Sequence, residues 1–335
     1  MTQTYTSPNE VITNEEFAYT QEVIQKLSQY YDSKVVGQEN LKYALIYAII
    51  ADGHILIESV PGLAKTTAAK AIASAVNGKF SRIQCTPDLL PSDIIGTQIY
   101  NQTQGKFDTI LGPIFANFVL LDEVNRSSAK TQSAMLEAMQ EKHVTIGEKT
   151  YSMPEDIFIV IATQNPIDQE GTYPLSEAQT DRFLIKETLN YPTPEEETAI
   201  LSRISYGEPD DEPAVLEIDD INRVQNIADK VYVDISIRKY ISMIVHATRH
   251  TEDILSEELS SYVRLGASPR ASIAFMKLGK AVALTQGRTY VIPEDIKAVR
   301  YQVLRHRISL SYSANSNGVT PETIIDEVFA KIPTP

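Results

Sequence analysis

Three short runs of the chain are apolar at nearly every position and end in polar residues: HILIE at 54–58, FVLLDE at 118–123 and IFIVIAT at 157–163. Continuous runs of this length, bounded by turn residues, predict parallel strands buried on both faces. Between and around them the apolar positions recur with helical spacing. Thr13 followed by Glu16 forms a capping box that opens a helix through NEEFAYTQEVIQKLSQYY, and ENLKYALIYAIIAD forms a second helix stopped by Gly53. TTAAKAIASAVNG is a third, closed by Asn77-Gly78, and SAKTQSAMLEAMQEK is a fourth. FSRIQC reads as a further strand, followed by an irregular TPDLLPSDIIG. Two stretches alternate about a glycine, TQIYNQTQGKFDTIL turning at Gln104-Gly105 and HVTIGEKTYSM around Gly147, and predict hairpins. Strands that alternate with helices in this way predict a layered α/β domain with a mainly parallel sheet.

The pattern changes at NYPTPEEE, 190–197, where prolines and acidic residues mark a boundary. Beyond it the periodicity is helical, as in DDINRVQNIADKVYV and SPRASIAFMKLGKAVALTQG. The expected organisation is a helical lead at 1–33, an α/β core at 34–191 and an all-helical unit at 192–335.

Length and composition narrow the picture. The 335 residues suit roughly two domains and a substantial core. No apolar run approaches the ~18 residues of a membrane span, and the first residues lack the basic-then-apolar order of a secretory signal, so a cytoplasmic protein without a membrane span is expected. The net charge of −14 disfavours general nucleic-acid binding, which depends on clustered Lys and Arg. The single cysteine, Cys85, permits no intramolecular disulfide and reads as a small core residue. The histidines show no shared metal spacing; His246 and His250 lie four apart on a helix without an obvious third ligand.

The first buried strand runs into ESVPGLAKTT, 58–67. A strand, a turn and a helix N-terminus are the setting of a phosphate loop, because the helix offers unpaired N–H groups and a partial positive charge. Lys65 is placed to reach the β and γ phosphates and Thr66 to bind Mg²⁺. The glycines of the usual Gly-x-x-x-x-Gly-Lys-Ser/Thr pattern are replaced by Ser59 and Ala64, while Gly62 is retained. Ala64 lies where the helix begins, so a helical φ is expected to accommodate its methyl group. Ser59 is expected either to take a negative φ or to distort the turn. The second strand ends in Asp122 and Glu123, an acid pair at the carboxyl edge of the sheet, where α/β proteins bind ligands. Asp122 suits a magnesium ion held through water, and Glu123 suits the polarisation of an attacking water. The third strand leads to Asn165, whose amide suits orientation of that water against a γ-phosphate.

Taken in order, VVGQE, HILIESVPGLAKTT, RIQCTPDLLPSDIIG, GPIFANFVLLDEVNRSSAKTQSAMLEAMQE, VTIGEKTYSMPEDIFIVIATQNPIDQEGTYPLSEAQTDRF and GASPRASI resemble the MoxR family of AAA+ ATPases over about residues 30 to 310. The resemblance implies a P-loop core, a parallel sheet sandwiched by helices, with a C-terminal helical lid. It implies that ATP and Mg²⁺ are the bound groups. The loop Pro61, Gly62, Leu63, Ala64, Lys65, Thr66 and Thr67 would cradle phosphate, with Val36 and Gly37 lining the adenine pocket. Asp122 and Glu123 would be the Walker B pair, and Asn165 the first sensor. Arg182 would be the arginine finger acting on nucleotide held by a neighbouring subunit, with Arg126 as an alternative. Arg270 would be a second sensor touching the γ-phosphate from the lid. Ala64 is usual in that family; Ser59 and Cys85 depart from it.

The function implied is ATP hydrolysis in a homo-oligomeric, hexameric ring that remodels or assembles protein clients, often partners with von Willebrand factor A domains. Two alternatives are a nucleotide-dependent protein-binding switch with little turnover and, further off, a nucleic-acid motor. The acid pair, Asn165 and Arg182 favour the hydrolysing form over the switch.

Overall fold

Strands with no polar alternation need cover on both faces, and the central strands find it. The computed structural model of the chain describes residues 11–60, 62–166, 172–206 and 213–335. The chain enters through α1 (Asn14–Lys34). At its start Thr13 Oγ1 accepts from the Glu16 N–H, and the Glu16 carboxylate accepts from the Thr13 N–H. α2 (Glu39–Ile50) follows, then β1 (Ile55–Glu58), the loop, and α3 (Lys65–Ser74). β2 (Phe80–Gln84) leads to α4 (Pro91–Ile95), a short helix inside the stretch expected to be irregular. The first hairpin is β3 (Gly96–Asn101) with β4 (Lys106–Leu111). After β5 (Phe118–Asp122) and α5 (Ala129–Glu141) comes the second hairpin, β6 (His143–Ile146) with β7 (Lys149–Ser152). β8 (Ile159–Gln164), α6 (Glu177–Thr180) and β9 (Ile185–Thr188) complete the α/β region.

The five-stranded sheet has the order β2-β5-β8-β1-β9, with every pairing parallel. Side chains on successive positions take opposite faces. Leu56, Val119, Leu121, Val160 and Ala162 pack with Met135, Leu136 and Met139 of α5. Ile55, Ile57, Leu120, Ile159 and Ile161 pack with α1, α2 and α3 on the other side.

β9 was not anticipated. Its four residues, IKET, have a single apolar side chain and sit at an edge position, where only one neighbour, β1, constrains them, although burial alternates and Glu187 is buried. α3 stops at Ser74 rather than at Asn77-Gly78. Val76 there forms a parallel bridge with Leu216, and Asn77 N–H donates to the Leu216 carbonyl at 2.8 Å, so a distant segment takes over the backbone bonds. The two hairpins are braced against each other: the Gln98 side chain lies over Gly147, where any Cβ would collide with it, and Tyr151 Oη donates to Thr109 Oγ1 at 3.0 Å.

Beyond Pro194 come α7 (Pro194–Tyr206), α8 (Ile218–Lys230), α9 (Ile235–Ala247), α10 (Glu257–Tyr262), β10 (Val263–Leu265), α11 (Pro269–Thr285), α12 (Pro293–Ala298), α13 (Arg300–Leu304), β11 (Ser309–Leu310), α14 (Tyr312–Ser316) and α15 (Pro321–Lys331). Among its described residues the region is helical apart from the short ribbon of β10 against β11 and isolated bridges at Leu216 and between Tyr232 and Tyr290. Among the described residues no helix is long and apolar enough to cross a membrane. Arg307, just past α13, fastens this region to the sheet. Its buried guanidinium donates to Asp181 Oδ1 at 2.7 Å, to the Phe183 carbonyl at 2.7 Å and to the Val303 carbonyl at 2.6 Å.

His54, at the start of β1, replaces a backbone contact with its ring. Nδ1 accepts from the Val160 N–H at 3.1 Å, and Nε2 faces the Met139 carbonyl at 3.2 Å, which fixes the neutral tautomer with the proton on Nε2. Burial lowers its pKa to about 4. The unfolded chain binds a proton here below about pH 6.5, which the folded chain refuses until about pH 4, so stability is lost as the pH drops through that window. From pH 7 to pH 5 this one group is expected to cost on the order of 1–2 kcal/mol. Thermal melts of the native protein and of His54→Gln at both pH values test this: the variant should lose part of the acid-induced drop, and an identical drop in both would refute it.

Candidate functional site at the carboxyl edge of the sheet

The loop after β1 follows the sheet for one residue more than expected. Ser59 N–H donates to the Gln164 carbonyl at 3.2 Å, prolonging the ladder, and the buried Ser59 Oγ donates to the Val60 carbonyl at 2.9 Å. Ser59 is not among the residues with positive φ, so the first of the two expected outcomes holds. Pro61 lies outside the described residues. Gly62 has φ +89°, a conformation that favours glycine. Leu63 is buried and anchors the loop to the core.

Ala64 corrects the sequence expectation. It is not helical but left-handed, with φ 54° and ψ 24°, and forms the N-cap of α3. A left-handed alanine costs roughly 1–2 kcal/mol. The loop must reverse sharply between the strand end and α3, and that closure, not local propensity, sets its dihedrals.

Lys65 Nζ donates to the Ser59 carbonyl at 2.9 Å, and its partial burial lowers its pKa. Thr66 Oγ1 donates to Asp122 Oδ2 at 3.3 Å, so strand β5 and helix α3 bring two hard oxygen donors together. Thr67 is exposed in the same first turn.

Asp122 is almost fully buried, 6% exposed. Burial would push its carboxyl up, but hydrogen bonds from Arg82, Thr163 and Thr66, with the Arg82 charge, outweigh it and hold the carboxyl below its usual range. Oδ1 accepts from Thr163 Oγ1 at 2.7 Å. Oδ2 accepts from Arg82 Nη2 at 2.6 Å and Nε at 3.2 Å.

The next residue, Glu123, is again left-handed, with φ 59°. Its N–H donates to Thr163 Oγ1 at 2.9 Å, which turns the side chain away from Asp122's course along the strand. Its carboxylate accepts from Gln84 Nε2 at 3.1 Å and pairs with Arg126 at 3.3 Å. Arg126 is thus engaged with the acid of its own chain. Asn165, past the end of β8, is tied to the same segment through buried Asn125. Asn125 Nδ2 donates to the Asn165 carbonyl at 3.1 Å, and Asn125 Oδ1 accepts the Asn165 N–H at 3.4 Å.

Val36 and Gly37 come to this edge from the α1–α2 turn. Gln38 Nε2 reaches the Asn190 carbonyl at 3.5 Å, just beyond β9, and Gly37 has φ +67° with the Glu196 side chain where a Cβ would stand. Cys85 is buried behind Asp122, and burial pushes its thiol up to about 12, consistent with an inert core residue.

Two of the expected site residues are elsewhere. Arg182 and Arg270 line one cavity of ≈ 230 Å³ with Gly53, His54, Gln140 and Arg307, at the amino edge of the sheet. Arg270 Nη2 donates to Gln140 Oε1 at 3.3 Å, and Nη1 stands 3.8 Å from Asp181. Gln140 is near the end of α5, whose 13 residues run about 20 Å back from the Glu123 end. Arg270 therefore lies at the opposite edge of the sheet from its own chain's loop, and Arg307 holds that part of the helical region in place. Arg182 Nε is buried with no hydrogen-bond partner among the described residues, and the side chain also lines a second cavity with Glu137, Glu141 and Gln179.

Sequence reasoning missed Arg82, Gln84, Thr163 and Asn125. The available signal was the alternation in FSRIQC, which puts Arg82 and Gln84 on one face of β2 opposite Leu120 and Asp122. His250, Glu252 and Asp253 also lie close together, all three exposed, in the helical region.

Comparisons with known proteins accord with this geometry. Residues 54–185 match the profile of the ATPase family associated with various cellular activities (AAA), and residues 257–328 match the AAA lid domain. The chain is 47% identical over 301 residues to "Chaperone MoxR1" of Mycobacterium tuberculosis, covering 90% of this chain and 79% of that one. It is 42% identical over 312 residues to "Uncharacterized protein YeaC" of Bacillus subtilis, covering 92% and 94%. A crystal structure from Cytophaga hutchinsonii superposes with a TM-score of 0.89 at 45% identity, covering 96% of this chain and 97% of that chain.

Proposed function

The chain belongs to the MoxR family of AAA+ ATPases, and from that premise we propose that it binds ATP with Mg²⁺, hydrolyses it within a ring of its own copies, and uses the cycle to remodel or assemble partner proteins. The observation that carries this reading is the meeting of Thr66 and Asp122 at 3.3 Å, with Glu123 next in sequence and Asn165 tied to it through Asn125. The donor set fits magnesium, which prefers hard oxygen ligands and accepts one or two from protein beside those of phosphate. Thr66 and Asp122 would hold it, and bound there it would neutralise charge on the phosphates.

The chain's own residues supply the rest. The N–H groups from Gly62 onwards and the N-terminus of α3 receive phosphate oxygens. Lys65 exchanges the Ser59 carbonyl for phosphate. Glu123 takes the proton of the attacking water, and the Asn165 amide orients that water. In this reading residues 34–191 form the nucleotide-binding core and 192–335 the lid, a division supported by the end of β9 at Thr188 and the helices beyond Pro194.

Arg182 and Arg270, gathered at the amino edge, are proposed to act on nucleotide held by the next subunit. Their shared cavity and their distance from their own loop support that assignment. Family resemblance supports a hexamer and, among clients, proteins with von Willebrand factor A domains. The test is ATP turnover against protein concentration. Specific activity should rise as subunits assemble; activity per subunit that is flat across the assembly range would overturn the shared site, and tight ATP binding without turnover would favour a nucleotide switch.

A further inference from the structure

The pairing of β5 with β8 stops short of the residues that the proposed hydrolysis uses. Its parallel register runs to Leu121 opposite Ala162. Carried on, it would set Val124 against Asn165. The chain does not carry it on: Glu123 takes a left-handed backbone, and Val124–Arg126 coil into a short 3-10 turn. Asn165 thus lies past the last paired position of β5.

A side chain takes the strand's place. Asn125 Nδ2 donates to the Asn165 carbonyl at 3.1 Å, and Asn125 Oδ1 accepts the Asn165 N–H at 3.4 Å. One amide answers both main-chain groups of one residue, as the residue opposite does in an antiparallel ladder. An ionised aspartate would offer acceptors alone. The buried Asn125 is itself held from behind. Its carbonyl accepts from the Tyr173 N–H at 2.7 Å. The carbonyls of Val124 and Ser127, on either side of it, accept from the buried Gln132 Nε2 at 3.3 and 3.1 Å, and the same nitrogen donates to the Tyr173 carbonyl at 2.9 Å. Glu123 is anchored to the end of β8 by another route, its N–H donating to Thr163 Oγ1 at 2.9 Å. The acid assigned to activate water and the amide assigned to orient it are therefore set against each other through two short links, Thr163 and Asn125.

We propose that Asn125 is a positioning residue for ATP hydrolysis: it stands in for β5 beyond its last paired residue, fixes the peptide of Asn165, and so keeps the Asn165 amide in register with Glu123. It acts through Asn165 and not on the nucleotide. Position 125 must supply a donor, since the Asn165 carbonyl takes the shorter of the two bonds. The inference rests on the ATPase reading above.

The experiment measures kcat and KM for ATP and equilibrium binding of a fluorescent N-methylanthraniloyl ATP, all with the full chain. Asn125→Asp keeps the shape and the acceptor but turns the donor into a second acceptor facing a carbonyl. At about pH 8 its kcat should fall about 10²-fold, the scale of a misplacement of about 1 Å, with nucleotide affinity changed less than about threefold. A buried carboxyl beside a carbonyl titrates above its usual range and regains an O–H donor once protonated. The deficit relative to the unaltered protein should therefore shrink at least about fivefold between about pH 8 and pH 6, a recovery that loss of packing would not produce. Asn125→Leu, similar in size and without a donor at any pH, should show the loss of kcat with no such recovery. If Asn125→Asp does not melt cooperatively, Asn125→Leu decides alone, through loss of kcat at retained binding. A kcat within about twofold of the unaltered protein in a folded variant overturns the inference. So does a deficit of Asn125→Asp that is flat with pH, or an equal loss of nucleotide binding, which would place Asn125 in support of the phosphate loop. Lack of turnover by the unaltered protein would instead overturn the ATPase reading on which the inference stands.

Discussion

Replacing Glu123 by glutamine is expected to reduce ATP turnover by about 10²–10⁴-fold while leaving ATP bound, the range in which loss of a general base falls. The substitution keeps the shape of the side chain but removes the proton acceptor. The left-handed backbone at this position, φ 59°, is tied by the Glu123 N–H to Thr163 and does not depend on the carboxylate. The phosphate-receiving groups, Lys65 and the N-terminus of α3, lie on a different element and keep their places. Phosphate release in steady state, beside equilibrium binding of a fluorescent nucleotide, separates the two effects. Turnover within tenfold of the unaltered protein would remove Glu123 from its assigned role. A parallel loss of binding would mean that the Arg126 and Gln84 contacts to this acid organise the loop itself.

Arg182→Ala should be nearly as damaging, by roughly 10³-fold or more if the side chain serves as a trans arginine, and it should be repairable by a second defective subunit. Arg182 gathers with Gly53, Gln140 and Arg270 at the amino edge of the sheet, opposite the edge that carries Glu123, which is why it is read as serving the next subunit's nucleotide. Mixing Arg182→Ala with Lys65→Ala creates interfaces in which an intact loop meets an intact arginine, although neither protein alone contains one. Turnover of the mixture should exceed the sum of its components, with assembly of each variant checked by sedimentation. No gain on mixing, for two variants that co-assemble, would show that Arg182 acts within its own chain or not at all.

How far the sequence revealed this site depends on which physical effect decided each position. The central strands were legible because FVLL and IVIA have no polar face and admit no exposed arrangement. Thr66, Asp122 and Glu123 were legible because a strand end and a helix start leave few ways to place a hydroxyl and two acids together. β9 was not, since an edge strand with one apolar residue in four resembles a turn. Ala64 was misjudged because alanine before a helical run suggests a helical φ, whereas the closure of the loop imposes 54°. Arg270 was given a partner by resemblance, but its location follows from Arg307 and the packing of α11, which no local pattern records. Arg82 and Gln84 were invisible for a simpler reason: polar residues alternating on an edge strand are expected to face water, and here they face a buried carboxylate and its neighbour.

The Arg307 clamp has a mechanical consequence. It grips Asp181 and the Phe183 carbonyl, the residues on either side of Arg182, while its own stem belongs to the segment after α13 that travels with the lid. Asp181 in turn stands beside Arg270. The core arginine and the lid arginine are consequently jaws of one caliper with a set gap. In the proposed ring, a tilt of the lid would carry Arg182 with it, and the pair would gauge the length of a phosphate chain on the next subunit.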